Sequence, residues 1–132
     1  MHEIGRNPKK FIFLFLFALI LNWVWETTHS VLYVHYQGGA ITPFVLLRAA
    51  LVDAIVILAL ALLAQKFKLN KSTVVVTGGL IIAIVIELWA LETGRWAYTA
   101  FMPIVPILNV GLTPILQLAL TGYISEKLLT VS

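Results

Sequence analysis

Four apolar segments occupy most of the 132-residue chain and constrain its fold more than any other feature. Each is long enough to cross a bilayer as a helix, which takes about 20 residues. The segments are residues 11–34, 43–65, 73–93 and 110–129. Only 11% of the residues are charged, whereas a soluble domain has about 25%. We therefore predict an all-α fold, in which residues 1–132 form a single integral membrane domain built as a bundle of four transmembrane helices.

The distribution of basic residues predicts how the bundle is oriented. Four spans place the N-terminus, the loop at residues 66–72 and the C-terminus on one side of the membrane. Seven of the nine lysines and arginines lie on that side, and only Arg48 and Arg95 lie on the other. Because basic segments stay in the cytoplasm, we expect a multi-pass protein of the cell membrane with both termini cytoplasmic. The net charge of +3 is thus a topology signal and does not indicate nucleic-acid binding.

Each predicted span contains a polar residue at a similar depth. The first carries the polar stretch at residues 22–29, which includes Glu26, and the other three carry Asp53, Glu87 and Gln117. At 1.5 Å rise per residue, these four lie roughly 9–15 Å below the outer surface. An ionisable group at that depth costs roughly 2.5–3.5 kcal/mol, so it is expected to pair or to react. We predict a carboxylate site that opens toward the outer leaflet, with the three acids as candidate catalytic residues.

Other polar and aromatic residues near this layer are candidates for contacting a substrate. They are Asn22, Trp25, His29, Arg48, Trp89, Arg95, Tyr98 and Gln117. Aromatic rings beside a proton donor suit an apolar or cationic ligand. For Trp25 and Trp89, a pocket wall and plain packing are both open. For Tyr36 and Trp96 we favour an aromatic belt at the membrane interface, and for His35 an exposed loop.

The buried charges also have simpler interpretations. Arg48 is expected to pair with Glu92, and Arg95 with Glu26 or Glu87, because pairing lowers the cost of burial. Glu26 and His29 share one helix face. A Glu-x-x-His step is half of the ligand set of carboxylate-bridged dimetal bundles, but the full set needs two steps. We therefore favour hydrogen bonding over metal ligation at this step and expect no metal.

Residues 94–109 are too apolar for a loop in water and contain Pro103 and Pro106. At membrane depth, non-helical backbone is tolerated only against protein or a cavity. We therefore expect an interfacial or re-entrant lid between helices 3 and 4. Within the third span, Gly78 and Gly79 are expected to let a neighbouring helix come close.

Three motifs make the chain similar to a group of small bacterial four-span membrane proteins with no assigned activity. That group shares an Asn-x-x-Trp-Glu step, an Arg/Ser-Trp-x-Tyr-x-x-x-Met-Pro-x-x-Pro segment and a Gly-Leu-x-Pro-x-x-Gln step. Here the motifs span residues 22–26, 95–106 and 111–117. The first step also resembles one in the integral membrane terpene cyclases, a longer family with more spans. That resemblance covers Asn22, Trp25 and Glu26, and it implies that Glu26 is a proton donor to an isoprenoid.

Three classes of function remain open. The favoured one is an enzyme that uses acid/base chemistry on a lipid or isoprenoid, because the predicted acids converge beneath a lid. The second is a small proton-coupled transporter, like the small multidrug resistance proteins with their essential Glu in the first of four spans. The third is a non-catalytic membrane subunit whose buried charges specify packing. The expected partners are membrane lipids and a lipid-like or isoprenoid ligand. The sequence identifies no cofactor and leaves the oligomeric state open.

Overall fold

The computed structural model describes residues 8–131, and most of them are helical. Four helices follow one another along the chain: α1 (Pro8–His29), α2 (Pro43–Lys66), α3 (Lys71–Glu92) and α4 (Leu112–Val131). Within the described residues, three segments are long and apolar enough to cross a membrane, namely Lys9–Leu32, Pro43–Lys66 and Lys71–Glu92. The prediction of a mainly helical chain is thus confirmed. The more polar helix α4 is not among the three apolar candidates.

The four helices form a closed ring. Each helix packs against the next one along the chain, and α1 also packs against α4. The side chains at the centre are mostly small or aliphatic, and Ala18, Ala54 and Ala61 are fully buried among them. Small residues allow helix backbones to come close. This close approach favours packing between helices in lipid, where the hydrophobic effect does not drive helices together. At one end, Ser72 near the start of α3 donates to Glu126 near the end of α4 at 2.7 Å, so these two helices run in opposite directions.

Local capping explains where α2 and α3 begin. The Thr42 hydroxyl accepts the Val45 N–H at 3.2 Å, and Pro43 occupies the first helical turn. Proline is favoured there because its missing N–H has no helical partner in any case. The Asn70 side chain accepts the Thr73 N–H at 2.9 Å in the same way. Each cap satisfies a backbone donor that the helix itself leaves unpaired.

The helix of the first span is shorter than predicted. It ends at His29, residues Ser30–Leu32 form one 3₁₀ turn, and Tyr33–Tyr36 form strand β1. In the last turn of α1, Thr28 donates to the Val24 carbonyl and Ser30 to the Thr27 carbonyl. Such side-chain bonds compete with the helix ladder. The aromatic and β-branched residues that follow favour an extended chain, and this explains the change from helix to strand.

Two short antiparallel sheets cover one end of the bundle, and the all-α prediction did not include them. Strand β1 pairs with β2 (Trp96–Tyr98), and β3 (Ile104–Val105) pairs with β4 (Val110–Gly111). The segment predicted as a lid, residues 94–109, thus contains β2 and β3. Hydrogen bonds to β1 and β4 hold it in place.

The two neighbouring glycines of α3 meet different surroundings and provide a stability test. A Cβ atom at Gly79 would lie 3.1 Å from the Ala119 backbone nitrogen of α4, whereas a Cβ atom at Gly78 would meet only the end of the Leu60 side chain, at 2.7 Å. We expect Gly79→Val to destabilise the protein by about 1–3 kcal/mol, because backbone cannot move aside. We expect Gly78→Val to cost less, because Leu60 can change rotamer.

Thermal unfolding in a non-ionic detergent, followed by circular dichroism, measures the difference. The two variants share one helix and one substitution, so their intrinsic helix propensities cancel. Equal unfolding temperatures would contradict the close approach of α4 at Gly79.

Candidate functional site

A cavity of about 230 Å³ lies between the helices, beneath β1 and β2. All four helices and both strands contribute to its wall. Side chains of α2, α3 and α4 supply most of the apolar lining. The polar and aromatic lining consists of Glu26, Ser30, Tyr33, His35, Tyr36, Arg48, Asp53, Glu87, Trp96 and Gln117. The cavity thus combines an apolar interior with three carboxyl groups.

The side-chain amide of Gln117 joins three helices at the wall of this cavity. Its Nε2 atom lies 2.8 Å from Glu26 Oε2, 2.7 Å from Asp53 Oδ2 and 2.9 Å from Asn22 Oδ1. Asn22 is in turn fixed by donating to the Ala18 carbonyl at 2.8 Å. Asn22 is fully buried and Gln117 is 5% exposed, so these hydrogen bonds form away from solvent.

The Gln117 amide nitrogen has more acceptors around it than it has hydrogens. An amide nitrogen carries two hydrogens, yet three acceptors surround this one. The carboxyl groups of Glu26 and Asp53 are also within hydrogen-bonding reach of each other. Two ionised carboxylates in contact repel, and a single shared proton converts that repulsion into a hydrogen bond. The structure thus brings two carboxyl groups from different helices onto one amide nitrogen.

Glu87 lies across the cavity in a different environment. Its Oε1 atom accepts from the Tyr98 hydroxyl at 2.5 Å and from Trp96 Nε1 at 3.2 Å. Both donors come from β2. Glu87 is thus a fixed carboxyl group that ties the strands above the cavity to α3.

Tyr98 remains a hydrogen-bond donor over the physiological range. Burial first, and then its hydrogen bond to Glu87, raise the pKa of the Tyr98 phenol above its ordinary value. Its oxygen also accepts the Gly111 N–H at 2.9 Å. A single phenol therefore joins β2 to α3 and to β4.

A second polar group lies at the mouth of the cavity. Arg48 donates to the Tyr36 hydroxyl at 2.8 Å, and its guanidinium lies 5.6 Å from the centre of the Tyr36 ring. His35 Nδ1 accepts the Gly38 N–H at 3.0 Å. Because Nδ1 is an acceptor, the proton of the neutral imidazole is on Nε2. The mouth thus presents cationic and neutral donors, whereas the interior presents acids.

The structure brings most of the candidate residues together. Five of them line the cavity: Glu26, Arg48, Asp53, Glu87 and Gln117. Two more support it from behind, because Asn22 bonds to Gln117 and Tyr98 bonds to Glu87. The geometric expectation that side chains from four helices meet in one layer therefore agrees with the structure.

The four remaining candidates do not line the cavity. His29 is buried, with its Nδ1 atom 2.9 Å from the Trp25 carbonyl, in place of the cavity contact expected for it. Trp89 is 49% exposed, and Arg95 stacks over its ring at 4.3 Å. Trp25 packs edge-on against His29. Of the two interpretations left open for Trp25 and Trp89, the structure favours packing.

The expected ion pairs are absent from the described part of the chain. Arg48 contacts Tyr36 where Glu92 was expected, and Arg95 contacts Trp89 where an acid of the cavity was expected. The physical reason is that Glu26 and Glu87 are already satisfied by neutral donors. Residues 8–131 also contain no group of three or more His, Asp or Glu side chains placed to hold a metal ion.

Sequence reasoning missed four residues of the cavity wall. Tyr33, His35, Tyr36 and Trp96 all line the cavity. The loop interpretation of His35 is wrong, because His35 lies in β1. The pairing of β1 with β2 places Tyr36 opposite Trp96 and Tyr33 opposite Tyr98. The usable signal was the run of aromatic and β-branched residues at 31–36, which favours a strand.

The hydrogen bonds of Gln117 to Asn22, Glu26 and Asp53, here called the Gln117 network, predict that two Gln→Leu substitutions differ in their effect on stability. Gln117→Leu leaves the acceptors of Asn22, Glu26 and Asp53 without their shared donor. We expect a loss of stability of roughly 1–3 kcal/mol for each group left unpaired. Gln65→Leu is the matched control, because the buried Oε1 of Gln65 has no hydrogen-bond partner. Thermal unfolding in detergent should show a large decrease for the first variant and no decrease for the second; similar decreases would contradict the network.

Comparison with known proteins assigns no family to the chain. No family model matches it, and no curated protein or solved structure has significant similarity to it. The resemblances carried by the three sequence motifs therefore remain expectations. The chemistry of the site is inferred from its own residues.

Proposed function

We propose that the protein crosses the membrane four times, with both termini in the cytoplasm and the cavity in the outer half of the bilayer. Three helices have the length and composition of membrane spans. Helix α4 packs against α1 and α3, so it lies at the same depth as they do. Its polar residues Gln117, Thr121 and Ser125 follow one another at four-residue intervals and are all buried. A helix with its polar face inward can contact lipid on the other side.

Within this architecture, we propose an enzyme that carries out acid/base chemistry on a lipid or isoprenoid. The observation that supports it is the convergence of the Glu26 and Asp53 carboxyls on Gln117 Nε2 at the wall of a largely apolar cavity. A general acid must hold a proton near neutral pH and deliver it to a bound ligand. A carboxyl pair that shares one proton meets the first requirement, and its position on the cavity wall meets the second.

The same geometry suggests how such a reaction would proceed. The proton of the pair adds to one carbon of a ligand alkene, whose π electrons form the new C–H bond. This leaves a cation on the ligand and a second negative charge on the pair, which had one while it shared the proton. The rings of Tyr33, Tyr36 and Trp96 line the cavity, and aromatic faces attract cations. Loss of a proton from a neighbouring carbon to the carboxylate restores the pair and forms a new double bond.

Deuterium transfer tests this proposal without a known substrate. Purified protein in deuterated buffer is incubated with geranylgeraniol and with geranylgeranyl phosphate, and the products are analysed by mass spectrometry. We expect deuterium in the isoprenoid chain. Glu26→Gln and Asp53→Asn should each reduce the rate roughly 100-fold or more, the usual contribution of a general acid.

Glu92→Gln is the matched control, because Glu92 is exposed at the end of α3. This variant should leave the rate of deuterium transfer unchanged. Deuterium uptake no faster than in protein-free micelles would reject the enzyme. Unfolding of both Glu26→Gln and Asp53→Asn would instead support the packing role of a non-catalytic subunit.

A proton-coupled carrier is the second candidate, because a carboxyl pair with one proton also suits proton-coupled transport. It predicts a different result in liposomes. An imposed pH gradient would drive accumulation of a ligand that remains chemically unchanged, and Asp53→Asn would abolish that accumulation.

A further inference from the structure

The hydrogen-bonding groups of the cavity are arranged in two zones that differ in what they can still bind. The acidic zone contains Glu26, Asp53 and Glu87, and the donor zone at the mouth contains His35, Tyr36 and Arg48. We propose that the ligand is an amphiphile whose anionic head group binds the donor zone and whose apolar chain reaches the Glu26–Asp53 pair. This assignment of the substrate class rests on the proposed function.

The acidic zone has little remaining capacity for a cationic head group. Glu87 Oε1 already accepts from Trp96 and Tyr98. Glu26 Oε2 and Asp53 Oδ2 both accept from Gln117. A cationic head group placed here would have to displace hydrogen bonds that stabilise the fold.

The donor zone, in contrast, has unused donors. A guanidinium carries five N–H donors, and the described contacts of Arg48 use its Nη2 for the Tyr36 hydroxyl. That hydroxyl accepts from Arg48, so its own hydrogen remains available. The Nε2–H of His35 is the third donor, because Nδ1 is occupied by Gly38. Cationic and neutral donors at one opening are the recognition chemistry of phosphate and carboxylate groups.

The size of the cavity indicates that only part of the ligand lies inside it. Pockets that enclose a whole drug-sized ligand measure roughly 300–1,000 Å³, whereas this cavity measures about 230 Å³. Ala49 and Val52 also line it, and on α2 they lie between Arg48 and Asp53. A ligand with its head group at Arg48 would therefore lie along an apolar wall with one portion of its chain, and the remainder would extend into lipid.

Binding of simple probes tests the assignment independently of catalysis. The full chain in dodecyl maltoside is titrated with decyl phosphate, decanol, decyltrimethylammonium and inorganic phosphate, and calorimetry gives each dissociation constant. We expect decyl phosphate to bind at least roughly tenfold more tightly than decanol, since a hydrogen bond to a charged group contributes about 1.5–3 kcal/mol. Inorganic phosphate should bind far more weakly than decyl phosphate.

Two arginine variants locate the anion site. Arg48→Gln should remove the preference for decyl phosphate over decanol, and Arg48→Lys, which keeps the charge, should retain part of it. Arg95→Gln is the matched control, because Arg95 stacks on Trp89 away from the cavity, and it should keep the full preference. A preference that survives Arg48→Gln would overturn the proposal.

The remaining outcomes separate the alternatives. Tighter binding of decyltrimethylammonium than of decyl phosphate would overturn the proposal in favour of a cationic amphiphile. Equal binding of inorganic phosphate and decyl phosphate would overturn it in favour of a free anion. Calorimetry measures anion binding and mass spectrometry measures deuterium transfer, so the two proposals are tested separately. Anion binding without deuterium transfer would therefore reject the enzyme alone, whereas deuterium transfer without anion preference would reject the amphiphile alone.

Discussion

The hydrogen bonds from Gln117 Nε2 to Asn22, Glu26 and Asp53 are the constraint on which the rest of the structure depends. Polar groups inside an apolar bundle cost free energy unless they are paired. Because the three acceptors lie on α1 and α2 and the donor lies on α4, pairing them fixes the relative rotation and height of three helices. Hydrophobic contacts alone are less specific, since one aliphatic side chain can replace another.

The contacts of Glu87 impose a second constraint at the same level of the bundle. Tyr98 and Trp96 reach down from β2 to its carboxyl group, and Tyr98 also accepts from Gly111 in β4. These hydrogen bonds hold the strands over one end of the helix ring and leave a space beneath them. The cavity is thus the space between the Gln117 network and the strands, and apolar side chains of α2 and α3 complete its wall.

The two acidic centres differ in environment, and such differences assign different roles to carboxyl groups in enzymes. The Glu26–Asp53 pair has one amide as its common donor and lacks enough hydrogens for all its oxygens. Glu87 is instead surrounded by aromatic donors that fix its position. In the proposed function the first centre exchanges a proton, whereas the second holds the strands above the cavity. Arg48 at the mouth adds the only positive charge among the cavity-lining residues of the described chain.

The sequence by itself determined the helical character of the chain, the approximate limits of its helices and the layer that contains Glu26, Asp53, Glu87 and Gln117. Apolar length and helical rise are local properties, so they can be counted along the chain. Only the tertiary structure determined which side chains contact one another. The pairing of β1 with β2 brings Tyr33, His35, Tyr36 and Trp96 to the cavity, whereas Arg95 stacks on Trp89. Strand pairing joins residues about 60 positions apart, and no local pattern specifies it.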